Sequence, residues 1–134
     1  MTTSIAEVRD ALADAIRAGT GLRCLAYLQD TIPAPCGHLR RTEFDPRMVL
    51  GRASATYPFT LRVYVGRTAE VAAQKALDEL AEPTGGICSA VEDADNWPDD
   101  LVQSAYVTSI GEPMVGTVAD ETFMVCDFNI EVIF

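Results

Sequence analysis

The residues able to do chemistry in this 134-residue chain are one histidine, four cysteines and a surplus of carboxylates. His38 would act as a base only with a nucleophile in hydrogen-bond reach and a third group to orient it. Its neighbours in a turn-prone stretch, Arg40 and Arg41, are neither. Cys24, Cys36, Cys88 and Cys126 form no C-x-x-C pair, and a single histidine cannot complete a zinc set with thiols so scattered. Cys24 and Cys126 lie in apolar, strand-like runs, where a thiol behaves as a small core residue. The acidic stretch Glu92 to Asp100 fails as a calcium loop. Counted from Asp93, the glycine position falls on Pro98 and the closing glutamate position on Ser104. A solvated acidic loop is the expectation. Any two other carboxylates could be paired as acid and base, so no pairing is informative. A P-loop, a dinucleotide-binding glycine pattern, G-x-S-x-G and H-E-x-x-H are all absent from the sequence. The residues point to no catalytic site, no cofactor and no metal.

The elements that would position any site follow from periodicity. Tyr57 to Leu80 organises the chain. Tyr57, Phe59, Leu61, Val63 and Val65 alternate with Thr60, Arg62 and Tyr64, which spells a half-buried strand. Gly66 and Arg67 turn the chain, Thr68 suits an N-cap and Glu70 complements the helix dipole. Ala73, Ala76, Leu77 and Leu80 then mark one helical face, ended by Pro83 and Gly85-Gly86. Upstream, Ser4 and Glu7 make a capping box for a helix to Ala18 with an Ile5, Val8, Leu12, Ile16 stripe, stopped by Gly19 and Gly21. Leu22 to Leu28 reads as a strand, and a weakly patterned one runs from Pro35 to about Thr42 after the extended Pro33 and Pro35 segment. Downstream come a short helix over Gly86 to Ala94 and a strand of mixed parity over Leu101 to Ile110. A turn follows at Gly111-Glu112-Pro113, after which Met114 to Val118 pairs back before Ala119-Asp120-Glu121 turns the chain again. Thr122 to Phe134 closes the chain with Met124, Cys126, Phe128, Ile130, Val132 and Phe134 on one parity and Asp127, Asn129 and Glu131 on the other. A terminus held in such a strand is tied into the sheet.

The order α-β-β-β-α-(α)-β-β-β with short turns predicts an α+β fold: a mostly antiparallel mixed sheet with two or three helices packed on one face. One domain over residues 1–134 suits this length. Hydrophobic content of 49% against 22% charged is globular rather than disordered. No apolar run reaches the roughly 20 residues of a membrane span. Met1-Thr2-Thr3-Ser4 lacks the basic and apolar regions of a signal peptide, so the expected place of synthesis and assembly is the cytoplasm. A net charge of −10 disfavours tight binding to nucleic acid, though DNA could pass nearby without sticking. On this acidic chain one segment stands out. Arg40, Arg41, Arg47 and Arg52 are interleaved with Phe44, Met48, Val49 and Leu50. That mixture reads as a partner-binding surface, with an ordinary long hairpin loop as the alternative.

The pattern resembles the tail terminator family of long-tailed, siphovirus-type bacteriophages, in particular those of actinobacteria. The carrying stretches are Ser4-Ile5-Ala6-Glu7-Val8-Arg9 followed by Gly21-Leu22-Arg23, then Ile32-Pro33-Ala34-Pro35. Next come Tyr57-Pro58-Phe59-Thr60-Leu61-Arg62-Val63-Tyr64-Val65-Gly66-Arg67 leading into Ala72-Ala73-Gln74-Lys75-Ala76-Leu77-Asp78, and the closing strand Phe123 to Phe134. The likeness spans nearly the whole chain; Asn96-Trp97-Pro98 stands where related chains carry a glycine-containing turn. The resemblance implies a homo-hexameric ring in the virion, assembled in the host cytoplasm, that caps the head-proximal end of the tail tube. Such a ring stops tube polymerisation and docks the head's connector or stopper proteins. The partners it implies are the major tail tube protein, the neck proteins and DNA that slides through unbound, with the sheet near the channel and the helices outside. Arg40, Arg41, Phe44, Arg47, Met48 and Arg52 become candidate interface residues, and Asp127, Asn129 and Glu131 candidate channel-facing residues, of which Asp127 and Glu131 would repel phosphate. The rival readings are a stopper or neck-completion protein and a ferredoxin-like regulatory domain holding a metabolite between sheet and helices.

Overall fold

The computed structural model describes residues 4–27, 35–42, 56–66, 71–98, 101–102, 104–118 and 120–133. The expected α+β architecture is present. A six-stranded sheet carries three helices, α1 (Ile5–Thr20), α2 (Val71–Ala81) and α3 (Ile87–Glu92), over one face. The strands are β1 (Arg23–Leu25), β2 (Cys36–Arg41), β3 (Thr56–Val65), β4 (Ser104–Ile110), β5 (Met114–Val118) and β6 (Glu121–Ile133). Across the sheet they lie in the order β1-β2-β3-β6-β4, with β5 also paired to β6. All pairings are antiparallel except β1 with β2.

Local chemistry sets the helix ends. The Ser4 hydroxyl accepts from the Glu7 amide at 3.1 Å, half of the capping box, and Gly21 ends α1 in the left-handed region at φ 74°, its N–H donating to the Arg17 carbonyl at 2.9 Å. Gly19 serves packing instead. A β-carbon there would stand 2.3 Å from that of Ala90, so its absence lets α1 lie directly on α3. Val8, Leu12 and Ile16 from α1, Ala73 and Leu77 from α2, and Ile87 and Val91 from α3 meet Leu39, Phe59, Leu61, Val63, Phe128, Ile130 and Val132 of the sheet in one core. The alternation in β3 and β6 is thus the sorting of side chains between the helix-covered face and the opposite one, where Thr60, Tyr64 and Val125 are buried as well.

Four sequence expectations change. Strand β1 is shorter than Leu22 to Leu28, stopping at Leu25, with Ala26 and Tyr27 in a bend and Leu28 outside the described residues. Gly111-Glu112-Pro113 does not reverse the chain. Strands β4 and β5 run in the same direction, end to end along one margin of β6, whose thirteen residues are long enough to pair with both. Val107 faces Ile130 but Ser109 faces Asn129, and Ile110 faces Phe128 but Met114 faces Val125, so the outer strand carries one extra residue at each of two places. These bulges are the physical origin of the mixed parity. Pro113, which has no N–H to give, falls in the second, while the Gly111 amide still donates to the Asp127 carbonyl at 2.8 Å. The reversal comes between Val118 and Glu121, where Asp120 takes φ 67°. The acidic stretch is not simply solvated. A 3-10 turn at Ala94–Asn96 brings Trp97 into the core, its indole N–H donating to the Val91 carbonyl at 2.8 Å, and Asn96 Nδ2 bonds the Ala90 carbonyl. Finally, His38 is in mid-β2, buried, rather than in a turn. The turn and cap assigned to Arg67, Thr68 and Glu70, and the terminal Phe134, lie outside the described residues.

Candidate functional site

The face of the sheet turned away from the helices carries a ladder of polar side chains. Strand register builds it, because residues opposite one another on β2, β3, β6 and β4 fall on the same side of the pleat. On one rung, His38 faces Arg62 and Arg62 faces Asp127. Arg62 donates from Nε and Nη2 to the two Asp127 oxygens at 2.8 and 3.0 Å, and Arg40 reaches to 4.0 Å of the same carboxylate. These guanidinium bonds hold the Asp127 carboxyl below the usual range. On the next rung, Thr60 Oγ1 donates to Asn129 Oδ1 at 3.0 Å, and Asn129 Nδ2 donates to Ser109 Oγ at 2.8 Å. Further along, the Tyr106 hydroxyl donates to Glu131 at 2.7 Å. Beyond the His38 rung a small apolar cluster of Cys36, Tyr64, Phe123 and Val125 closes the face, with His38 stacked on Tyr64 at 5.3 Å and Tyr64 edge-on to Phe123.

Burial, reinforced by Arg40 and Arg62 and opposed by Asp127, pushes the His38 imidazole below its ordinary value. Its Nδ1 is one of two buried side-chain polar atoms without a partner among the described residues, Arg9 Nε being the other. Cys36 shares the face, but burial raises its thiol while His38 is lowered. A thiolate–imidazolium nucleophile needs the opposite shifts. Among the described residues, no group of three or more His, Cys, Asp or Glu side chains is placed to hold a metal ion. All four thiols are free, and burial pushes that of Cys24 up to about 12.

The candidate channel residues Asp127, Asn129 and Glu131 are therefore together on the face turned away from the helices, each with a donor on the same face. Arg40 and Arg41 end β2, both exposed, and the other candidate interface residues, Phe44, Arg47, Met48 and Arg52, lie outside the described residues. Two features escaped the sequence. Alternation gives Arg62 only a polar parity; its partnership with Asp127, 65 residues away, depends on the β3–β6 register. The second is an apolar sheet margin, with Ile110, Met114 and Val115 exposed along β4 and β5. An open cleft of about 300 Å³ also lies between the end of α1, β3 and α2, lined by Thr20, Leu22, Pro35, Val65, Leu80 and Glu79 among others. Thr20 Oγ1 is already committed there, donating to the Ile16 carbonyl and accepting from the Leu22 amide.

Compared with known proteins, the chain matches no family model and no curated sequence.

Proposed function

We propose that this protein is a structural part of a phage tail, a terminator subunit that assembles into a ring on the head-proximal end of the tail tube, ends tube growth and presents a surface to the neck. The observation that carries the reading is a pair of unlike surfaces toward opposite margins of one sheet. Exposed Arg40 and Arg41 lie on β2, and an apolar margin free of charged side chains within its strands lies on β4 and β5. A closed ring is built from such heterologous contacts, where one patch meets a different patch on the next subunit. The resemblance read from the sequence points the same way. The exposed end of the polar ladder, at Asn129, Ser109 and Tyr106, suits a wall along which DNA slides. Arg62 offsets the charge of Asp127, which removes part of the phosphate repulsion expected of this face, while Glu131, accepting from the Tyr106 hydroxyl, keeps its charge.

The metabolite-binding alternative would use the cleft beside α2, where Glu79 is the one charged lining residue among the described residues and the Thr20 hydroxyl is already bonded. Ligand sites are recognised by several convergent polar groups, and the described lining supplies few. The test of the terminator reading is tail length in particles assembled without this protein. Overlong or variable tails are expected, and tails of normal length that fail only to join heads would move the role to the neck.

A further inference from the structure

The hairpin of β5 and β6 outruns the helix layer. Val115 and Thr117 share a side with Met124, which packs on the main core, yet Val115 is 61% exposed and Thr117 and Thr122 are exposed too. Met114, on the opposite side, is exposed as well. This arm therefore shows apolar side chains on both of its faces. Its outer margin is also the edge of the sheet, with β4 and β5 paired among the described residues to β6 alone. Proteins ordinarily blunt such edges with charged side chains. Here Ser104–Ile110 and Met114–Val118 contain none, in a chain that is 22% charged. The charges that frame the arm are acidic and exposed: Glu112 between the strands, Asp120 and Glu121 at the tip. Among the described residues the far margin of the same sheet is the reverse, with exposed Arg23 on β1 and exposed Arg40 on the neighbouring β2.

We infer that the β4–β5 arm of one copy docks head to tail on the β1–β2 margin of a second copy of this chain. The charge pattern selects that occupant. Two copies carrying −10 each repel over most of their surfaces. An acidic-framed apolar edge meeting a basic margin removes the repulsion at one place, buries Met114 and Val115, and satisfies edge amides by strand addition. The contact is heterologous, so it repeats from copy to copy. The inference rests on the ring reading only for the number of copies it joins and names the two surfaces that would meet.

The test is self-association of the purified full chain by sedimentation velocity, with far-UV circular dichroism to confirm folding. Val115→Lys, Glu121→Lys and Arg23→Glu should each weaken association at least about tenfold, because each replaces a favourable contact with a like-charge or desolvated one. Combining Glu121→Lys with Arg23→Glu in one chain should restore association to within about threefold of the parent, since the swapped charges attract again. Amide exchange across residues 104–118 should slow as concentration rises. A parent chain that stays monomeric up to about 1 mM overturns the inference. So does a charge-swapped chain that is not rescued, or association that leaves exchange over 104–118 unchanged. Thr117→Lys, at an exposed position on the same strand, replaces Val115→Lys where the latter unfolds. None of these outcomes depends on tail length, so the docking inference and the terminator reading stand or fall separately.

Discussion

Asp127→Asn isolates the ion pair at the centre of the polar face. Asp127 keeps 19% of its side-chain surface exposed and Arg62 28%, so the pair is only partly shielded from water. The amide preserves shape and one acceptor, but it removes the negative charge and turns an NH2 toward the guanidinium. One charge-assisted bond is lost, and Arg62 and Arg40 remain beside each other without their shared counter-ion. Bonds to charged groups contribute about 1.5–3 kcal/mol, which solvent contact trims to an expected loss of about 2 kcal/mol. At about 3–5 °C per kcal/mol for a chain of this size, the midpoint of thermal unfolding should fall by about 6–10 °C. The sign with pH is fixed by the lowered carboxyl. The parent's advantage should be full above 3.8, the ordinary carboxyl value, and should shrink as pH falls through the lower folded value. Calorimetry of the parent, Asp127→Asn, Arg62→Gln and the double variant, at several pH values, measures both the loss and the coupling. A loss under about 0.5 kcal/mol, or purely additive single variants, would refute the assignment and make this an ordinary surface pair.

Two further outcomes follow from burial. His38 is the only histidine, so its nuclear magnetic resonance titration is unambiguous; it should titrate below 6.5. Because the folded value is depressed, its contribution to stability is full above 6.5 and is lost as pH falls from there toward the folded value; an ordinary midpoint would contradict the buried, arginine-flanked placement. Among the thiols, half-buried Cys88 should react first with a thiol reagent at pH 8, and Cys24, fully buried with its thiol pushed up to about 12, only on unfolding. Equal labelling rates for the two would overturn that ranking.

Much of the fold was legible because burial writes its period into the sequence. The stripe of α1 sorts between core and solvent, and the alternation of β3 and β6 places one parity on the helix side. Thr60, Tyr64 and Val125 of the other parity are buried too, so β3 is more than the expected half-buried strand. The acids of the last strand were likewise correctly assigned to one face. What could not be read depends on partners far along the chain. The in-register meeting of Arg62 with Asp127 requires knowing that β3 pairs with β6. The two bulges looked like loss of pattern followed by a turn, because Gly111 and Pro113 are turn residues and a one-residue insertion flips parity. Trp97 was hidden in an acidic context, its indole held by a carbonyl of α3. The exposed arm had no signal of its own, since apolar alternation reads as burial whether or not a helix layer extends over it.

As the proposed terminator, this protein should end tail growth. The most direct test is the distribution of tail lengths, measured by electron microscopy, in particles made when its gene is removed from the phage and again when it is restored in trans. Overlong or variable tails, unattached to full heads, should form without it and return to a single length on restoration. Intact virions with tails of unchanged length in the absence of the protein would contradict this role.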